Sequence, residues 1–255
     1  EMIAKNKKFF IPRFYVTILA KQLRSYELSR LNKYDLMVPI SEPDAVKLKS
    51  LGCELPVHVC HASYDESSLM PNKSKMEFPS LFFIGSLDWL PNQEGLSWFL
   101  KNVWRTLYLH FPELKFHIAG RNASRFKIPV TNKENIIVEC EVDDGYAFMN
   151  SKAIMVVPLL SGSGMRVKII EGMALGKTIV STSLGAAGIS CKDGQNILIA
   201  DTPEAFAEKI AKCINEKMFL TIIGDNSHQF AKRQFSSMEV TSKLLEFYKQ
   251  HLLLA

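Results

Sequence analysis

The segment from Ser161 to Lys177 combines glycines, cations and a carboxylate at spacings that suit the binding of a phosphate. It reads SGSGMRVKIIEGMALGK and follows the apolar run AIMVVPLL. Gly162 and Gly164 permit close approach of the backbone to a ligand. Free amides at the start of the helix predicted after them attract anions. Arg166 and Lys168 fall in its first turn, where the helix field disfavours cations, so a bound anion would explain their placement.

Two linked phosphates would use all of these groups together. Arg166 and Lys168 can add charge-assisted hydrogen bonds to the same anion. Glu171, about one turn further along, cannot favour a phosphate but can accept hydrogen bonds from the hydroxyls of a ribose. The alternative is a surface helix with a Lys168–Glu171 pair at three-residue spacing, which contributes only about 0.2–0.5 kcal/mol.

Two known phosphate-binding loops nearly match this segment, and their spacing excludes both. GMALGKT has three residues between its glycines where the ATPase loop has four, and it ends a helix instead of beginning one. Gly176 in this stretch is predicted to end that helix. Val167 stands where the dinucleotide motif needs its third glycine, and no acidic residue follows about 20 positions later. We therefore do not expect binding of NAD.

The elements that position these residues form a regular alternation from about residue 79 onward. Strands are predicted at LFFIG, KFHIAG, NIIVEC, AIMVVP, TIVST and NILIA, with amphipathic helices between them. This alternation predicts parallel βαβ units and a doubly wound, Rossmann-like α/β sheet. Ligands of such sheets bind at the carboxyl ends of the strands. The loops at Gly85, Gly120, Glu141 and 158–164 all lie at that edge.

The first 78 residues have their own pattern and lead into a polar stretch, SSLMPNKSKMEFPS, whose composition suits a linker. We predict a truncated α/β domain over residues 1–78 and the larger α/β domain over 79–255, with the final helix packing back on the first domain. The elements predicted in the first part are a helix from about Arg13 to Lys33, a short buried strand YDLMVPI, a helix capped by Ser41 and Asp44, and a strand PVHVCHA.

The composition is that of a soluble globular protein, with 47% apolar and 22% charged residues among 255. The net charge of +5 suits an anionic small ligand or an acidic membrane surface, and no nucleic-acid-binding signature is present. Five cysteines without a C-x-x-C pair favour a reducing compartment and give no zinc pattern. No apolar run approaches the ~20 residues of a membrane span. We expect a cytoplasmic protein without metal or cofactor. Because the sequence opens at Glu1, we also expect an upstream part.

Leu81–Ala200 resembles the nucleotide-binding domain of family 4 (group 1) glycosyltransferases, which have the GT-B fold. The similarity runs in order through FIGSLDWLPNQEG, FHIAGRN, VVPLLSGSGMRVKIIEGMALGKTIVST, LGAAGI and DGQNILIAD. Residues 1–65 resemble the end of the partner domain. The resemblance implies a retaining transfer of a sugar from a nucleotide diphosphate sugar to an acceptor hydroxyl, in a cleft between two domains. It further implies cell-surface polysaccharide or glycolipid synthesis, a sugar or lipid-linked acceptor, and peripheral contact with the inner face of the membrane.

The resemblance also implies roles for individual residues. Family members carry two glutamates eight positions apart, and Glu171 matches the second, which binds the ribose. The first falls on Ser163, so this chain departs from the family there. An arginine of the loop after the first strand corresponds to Ser86, and we assign its charge to Arg166 and Lys168. The implied donor diphosphate set is Gly85, Ser86, Gly162, Ser163, Gly164, Met165, Arg166 and Lys168, and the implied base vicinity is Gly120, Arg121, Glu141 and Val142.

No catalytic residue is assigned within the chain. The histidine that the family uses near the sugar is expected upstream, so the fragment should bind nucleotide weakly and show no turnover. A nucleotide-sugar epimerase of the same fold and a non-catalytic nucleotide-binding module stay open as alternatives. Remaining residues receive structural roles: packing for His58, His61, Trp98 and Trp104, a turn for Asp88 and helix capping for Asp143 and Asp144, with Trp89 alone a candidate for the acceptor side.

Overall fold

The computed structural model describes residues 13–252 except 73, 75, 132 and 140. Contacts divide them into two units. The smaller contains the residues up to Cys60 and the last helix from Leu244, and the larger contains His61–Lys243. Residues 61–78, which the predicted first domain and linker include, fall in the larger unit by their contacts, and the Tyr64 amide donates to the Phe235 carbonyl at 2.9 Å. The domain boundary at residue 78 stays a prediction.

The larger unit is built on a six-stranded parallel sheet, which confirms the predicted fold class. Its strands are β1 (Ser80–Ile84), β2 (Lys115–Ala119), β3 (Ile136–Val138), β4 (Ile154–Val157), β5 (Thr178–Ser181) and β6 (Leu198–Ile199). They lie in the order β3-β2-β1-β4-β5-β6. The chain builds outward from β1 on one side and then crosses to β4 on the other. This reversal leaves a crevice at the carboxyl ends of β1 and β4, where doubly wound sheets bind their ligands.

Helices cover both faces of the sheet. The helices of the described residues are α1 (Arg13–Arg30), α2 (Glu42–Ser50), α3 (Leu90–Phe99), α4 (Arg105–His110), α5 (Gly145–Asn150), α6 (Val167–Ala174), α7 (Pro203–Asn215), α8 (Lys217–Phe235) and α9 (Ser237–Leu252). A π-helical segment, Leu100–Trp104, joins α3 to α4, and a short 3-10 helix spans Ala123–Arg125. From Leu90 to His110 the chain is thus one continuous helical run with a π turn in its middle.

The residues of β1 show how the sheet separates two apolar cores. Leu81 and Phe83 belong to one buried cluster and Phe82 to the other, because successive side chains of a strand point to opposite faces. All three are fully buried. The alternation fixes which helices each face contacts, and it holds the carboxyl end of β1 rigidly beside β4.

The smaller unit corrects one expectation. The strands predicted at YDLMVPI and PVHVCHA reduce to a single parallel bridge between Met37 and Val57, and Ile40 is exposed. Pro39 and Pro56 lie in these segments and carry no N–H group, so each adds only a carbonyl to the pairing. The predicted cap is confirmed, since the Asp44 amide donates to Ser41 Oγ at 3.3 Å at the start of α2. Within the described ranges, no helix has the length and apolar character of a membrane span.

Candidate functional site

Arg166 lies at the entrance of α6, at the carboxyl end of β4. The helix begins at Val167, so Arg166 is its N-cap residue with extended backbone angles (φ −96°, ψ 91°), and the first-turn position we predicted is wrong by one residue. The guanidinium folds back onto its own loop. Its Nη1 donates to the carbonyls of Ser163 at 2.5 Å and Gly164 at 2.6 Å. The loop and the cation therefore form one unit.

Two nitrogen atoms of this guanidinium have no hydrogen-bond partner among the described residues. The Arg166 side chain is only 7% exposed, and its Nε and Nη2 atoms are buried without a hydrogen-bond partner among the described residues. Burial lowers the pKa of Arg166 from its ordinary value. A buried cation without a carboxylate is costly, so it calls for an explanation beyond packing. The pair of free donors matches two oxygens of a phosphate group.

Lys168 brings a second positive charge to the same place from the first turn of α6. Its Nζ lies 3.3 Å from Asn92 Oδ1 and 3.4 Å from the Ile84 carbonyl, so it stands at the carboxyl end of β1. Burial, with a contribution from the charge of Arg166, lowers the pKa of Lys168 to about 7. Among the described residues, Arg166 and Lys168 contact carbonyl and amide oxygens and pair with no carboxylate, so the crevice between β1 and β4 carries two cations without a neutralising charge.

The loop after β1 completes this side of the crevice. A Cβ atom on Gly85 would lie 3.3 Å from Lys168 Nζ, so Gly85 directly adjoins the ammonium group. The Ser86 hydroxyl is buried without a partner among the described residues, and the Ser86 carbonyl accepts from Asn92 Nδ2 at 2.8 Å. Gly120, with φ +124°, touches Gly85 so closely that a Cβ would stand 2.2 Å from the Gly85 oxygen. The ends of β1 and β2 therefore hold Ser86 in place.

Glu171 faces a different neighbour. Tyr146 on α5 donates its hydroxyl to Glu171 Oε1 at 3.0 Å, and burial together with the charge of Glu171 raises the pKa of Tyr146. Lys168 contacts the end of β1 instead, so the surface pair weighed in the sequence is not formed. One oxygen of Glu171 is used by Tyr146, and the carboxylate keeps further acceptor capacity for hydroxyl groups.

The residues assigned to the base vicinity lie along the ends of β2 and β3. Arg121 is 65% exposed and pairs with Asp88 at 3.0 Å, while Asn122 Nδ2 donates to both oxygens of Asp88 at 2.8 Å. Asp88 therefore ties the loop after β1 to the loop after β2, a longer-range role than the turn we predicted. Glu141 is exposed after β3, and Val142 packs against an apolar core. Their contact with a base stays a prediction.

Met165 and the loop glycines fill the rest of the predicted phosphate set. Met165 is half-buried against the core beneath α6, and Gly162 and Gly164 both have positive φ angles, 105° and 86°. Ser163 is exposed, and its carbonyl holds Arg166. The structure thus brings the loop residues 162–166 together with Gly85, Ser86 and Lys168 at one crevice.

Sequence reasoning missed two residues of this site. Asn92 is a buried polar residue in the first turn of α3 that links Ser86 to Lys168, and Tyr146 supports Glu171. Neither belongs to a motif, and their partners are far away in the chain. The only signal for Asn92 is its place directly after the proline that opens the helix. The predicted cap by Asp144 is confirmed, because it accepts from the amides of Tyr146 and Ala147 at 2.9 Å each.

A second polar cluster centres on the middle of β2 and includes residues before β1, before β4 and after β3. His117 is buried on β2, with Nε2 3.0 Å from Glu77 and Nδ1 3.1 Å from Glu139. Glu77 also pairs with Lys115 at 2.9 Å and Lys152 at 2.8 Å. Across the part of the chain that the structure describes, no group of three or more His, Cys, Asp or Glu residues could hold a metal ion. The cluster joins the starts of β2 and β4 to the segment before β1.

The family of the chain follows from this fold and sequence taken together. Residues 78–216 match the family model of the glycosyl transferases group 1. The match covers more than half of the chain, so the chain belongs to this family. Its larger unit has the Rossmann-like sheet of the GT-B fold, which is the fold of the solved glycosyltransferases it resembles.

Individual relatives are similar over parts of their length. A 44.6 kDa protein in the cps region of Klebsiella pneumoniae is 26% identical over 84% of this chain and 56% of its own length. The capsular polysaccharide biosynthesis glycosyltransferase CapM of Staphylococcus aureus is 27% identical over 48% of this chain and 33% of its own. The pneumococcal O-GlcNAc transferase GtfA, solved with UDP and GlcNAc, superposes with a TM-score of 0.70 at 18% identity, covering 89% of this chain and 47% of GtfA. The chain spans about half the length of the first of these relatives and of GtfA.

Proposed function

We propose that this chain is the donor-binding part of a retaining glycosyltransferase, which transfers a sugar from a nucleoside diphosphate sugar to a hydroxyl group of a sugar acceptor. The observation that carries the proposal is the buried guanidinium of Arg166, whose Nε and Nη2 atoms have no partner among the described residues, at the mouth of α6. Membership of the glycosyl transferases group 1 supports the reaction class. A nucleoside diphosphate is the ligand class that would use both cations and the carboxylate of Glu171.

The arrangement assigns a part of the ligand to each group of residues. The diphosphate lies against Arg166, Lys168, the free amides of α6 and the loops of Gly85 and Ser86. The loop backbone also lies close to the diphosphate, at Gly162, Ser163, Gly164 and Met165. The ribose hydroxyls donate to Glu171, and the base lies toward Gly120, Arg121, Glu141 and Val142.

The cations have a chemical role besides binding. When the bond between the sugar and the diphosphate breaks, negative charge grows on the departing diphosphate. Positive groups fixed beside it bind the transition state more strongly than the intact donor, which lowers the barrier. Arg166 and Lys168 stand in a site that is already desolvated, so they need little reorganisation at that moment. The acceptor side and the general base lie outside the residues assigned here.

The cellular setting is proposed from the relatives and from the cysteines. The name of CapM refers to capsular polysaccharide biosynthesis, and we place the present chain in cell-surface polysaccharide or glycolipid synthesis. A lipid-linked acceptor and peripheral contact at the inner face of the membrane belong to the same proposal. The free thiols of Cys53, Cys60, Cys191 and Cys213 support a reducing, cytoplasmic location.

A thermal-shift panel on the wild-type chain tests the donor class. UDP, GDP and ADP are compared with the corresponding monophosphates and with NAD, each at the same concentration. We expect one nucleoside diphosphate to raise Tm by several degrees, because a ligand at 100 times its Kd adds about 2.7 kcal/mol of stability and each kcal/mol shifts Tm by about 2–4 °C at this size. A panel in which no diphosphate shifts Tm more than its monophosphate would contradict the proposal.

The two alternatives predict different behaviour. A nucleotide-sugar epimerase of this fold would convert the donor without an acceptor, and a non-catalytic module would bind the diphosphate with no turnover in any longer form. CapM and GtfA are transferases by name, and membership of the glycosyl transferases group 1 supports transfer over either alternative.

A further inference from the structure

Trp89 is the residue of the crevice that neither the motif nor the phosphate loops explain. It occupies the N-cap position of α3 without making a side-chain hydrogen bond to the helix, with φ −86° and ψ 116°. Serine, threonine, aspartate and asparagine are preferred at this position because their side chains accept from the first amides of the helix. The Trp89 side chain cannot do so, and the Asn92 amide donates instead to the Trp89 carbonyl at 3.0 Å. Its ring is also 39% exposed, so burial alone does not account for it.

The ring of Trp89 lies against the guanidinium of Arg166, the main cation of the proposed diphosphate site. The guanidinium carbon of Arg166 stands 5.0 Å from the centre of the Trp89 ring, within the range of a cation–π contact. The two residues come from loops after neighbouring strands, β1 and β4. Trp89 therefore bridges the crevice from the side opposite α6.

Gly162 permits this contact. A Cβ atom at Gly162, where φ is +105°, would lie 3.0 Å from Arg166 Nη2 and 3.1 Å from two atoms of the Trp89 ring. The loop after β4 thus runs along both groups, and a side chain at this position would push them apart. The placement of the tryptophan, the glycine and the arginine is mutually dependent.

An aromatic ring can stabilise the buried Arg166 cation without occupying its N–H groups, which a carboxylate cannot do. A carboxylate would stabilise the buried cation but would occupy its N–H groups and neutralise its charge. The face of an indole ring attracts the guanidinium while it takes none of the in-plane hydrogen bonds. Nη1 is fixed by the carbonyls of Ser163 and Gly164, so Nε and Nη2 stay available.

We propose that Trp89 is a positioning residue, which holds the guanidinium of Arg166 in the orientation that presents Nε and Nη2 to the donor diphosphate. The proposal rests on the diphosphate site proposed above and assigns to Trp89 the task of keeping its main cation desolvated yet unpaired. It replaces the acceptor-side role that the sequence suggested for this residue.

The test uses inorganic pyrophosphate, which has neither sugar nor base, and isothermal titration calorimetry of the 255-residue chain. Trp89→Leu removes the ring and is expected to weaken pyrophosphate binding roughly threefold to thirtyfold, the range of a desolvated cation–π contact. Trp89→Phe keeps a ring and should recover most of that loss. Leu90→Ala, at the exposed neighbouring position, is the matched control and should stay within about twofold of wild type.

A double-mutant cycle separates positioning from general damage to the loop. In an Arg166→Gln background, Trp89→Leu should have no further effect, because the ring then has no cation to hold. Equal losses in both backgrounds, or a loss for nucleotide sugars but not for pyrophosphate, would overturn the proposal. Circular dichroism confirms folding, and if Trp89→Leu does not fold, the cycle is completed with Trp89→Met, which also lacks a ring.

The same data keep the two proposals apart. If Arg166→Gln binds pyrophosphate as tightly as the wild type, the proposed diphosphate site itself is wrong. A loss in Arg166→Gln together with wild-type affinity in Trp89→Leu would leave the diphosphate site standing and reject the role of Trp89.

Discussion

At the scale of single residues, the site depends on groups that the protein leaves unsatisfied. Arg166 keeps two buried donors free, and the Ser86 hydroxyl is buried without a partner among the described residues. Such groups cost stability unless a partner completes them, so their presence in the crevice supports the ligand site proposed there. Glu171 complements them as the acceptor on the same helix.

Glu171→Gln tests the ribose assignment. We expect UDP binding to weaken about five- to tenfold, because the hydroxyl groups of the ribose lose a charged acceptor. Pyrophosphate binding should stay unchanged or become slightly tighter, since it has no ribose and a nearby negative charge is removed. Calorimetry with both ligands measures this, and equal losses for both would argue against the ribose role. Tyr146→Phe, which only frees Glu171, serves as the control.

Because the pKa of Lys168 is lowered, we expect the affinity for a diphosphate to depend on pH. With a pKa of about 7 in the free site, Lys168 is largely neutral above that pH. A bound diphosphate favours the charged form and raises the pKa, so binding takes up a proton. Affinity for pyrophosphate should therefore fall as pH rises from 7 toward 9, by up to about tenfold per pH unit.

Calorimetry between pH 6 and 9 with a Lys168→Gln control measures that slope. The variant retains the titration of the ligand itself and loses only the contribution of the lysine. If wild type and variant have the same dependence on pH, the proton is not taken up by Lys168.

At the scale of elements, the site is held by close contact between the ends of neighbouring strands. Gly120→Ala should destabilise the fold by about 2–4 kcal/mol, because a Cβ would stand 2.2 Å from the Gly85 carbonyl at a positive φ angle. Gly194→Ala is the matched control, since it has a positive φ of 71° with nothing within 4 Å and should cost only about 1 kcal/mol. Urea unfolding measures both, and equal losses would show that the contact with Gly85 is not decisive.

The sequence was most informative where a local pattern decides the structure. Apolar strands separated by amphipathic helices predicted the parallel sheet, and the glycines and cations around α6 predicted the residues of the crevice. The helix start was displaced by one residue because Arg166 bonds to carbonyls of its own loop, which no motif encodes. The strand predicted at YDLMVPI is limited, among the described residues, to one bridge between Met37 and Val57, because Pro39 has no N–H group to extend the pairing.

Long-range partners could not be predicted from the sequence. Trp89 meets Arg166 across 77 positions of the chain, and Tyr146 meets Glu171 across 25. The carboxylates around His117 likewise come from separate segments. Such contacts depend on strand order, which places β4 beside β1, and the periodicity of the sequence does not determine that order.

At the scale of the whole molecule, ion pairs of Glu77 with Lys115 and Lys152 make the stability of the fold depend on pH in the acid range. The hydrogen bonds and charges of Lys152 and Lys115 overcome the effect of burial and lower the pKa of Glu77 from 4.5 to about 2. The unfolded chain therefore binds more protons than the folded chain between these values. The stability contributed by Glu77 is present above pH 4.5 and is lost as pH falls toward 2.

Glu77→Gln should flatten the dependence of unfolding free energy on pH in that window. It should also lower stability at neutral pH, because Lys152 loses its carboxylate while only 12% exposed. Urea unfolding at several pH values measures both effects. Glu113→Gln, at an exposed position, is the control, and an identical acid limb in the two variants would contradict the role of the cluster.

The central claim is that Arg166 presents its free donors to a donor diphosphate, and calorimetry of Arg166→Gln with UDP tests it most directly. Arg105→Gln removes the same charge from an exposed position at the start of α4 and is the matched control. We expect a loss of about ten- to hundredfold in affinity for Arg166→Gln, the range for hydrogen bonds to a charged group, and no more than a twofold change for Arg105→Gln. Wild-type affinity for UDP in Arg166→Gln would contradict it.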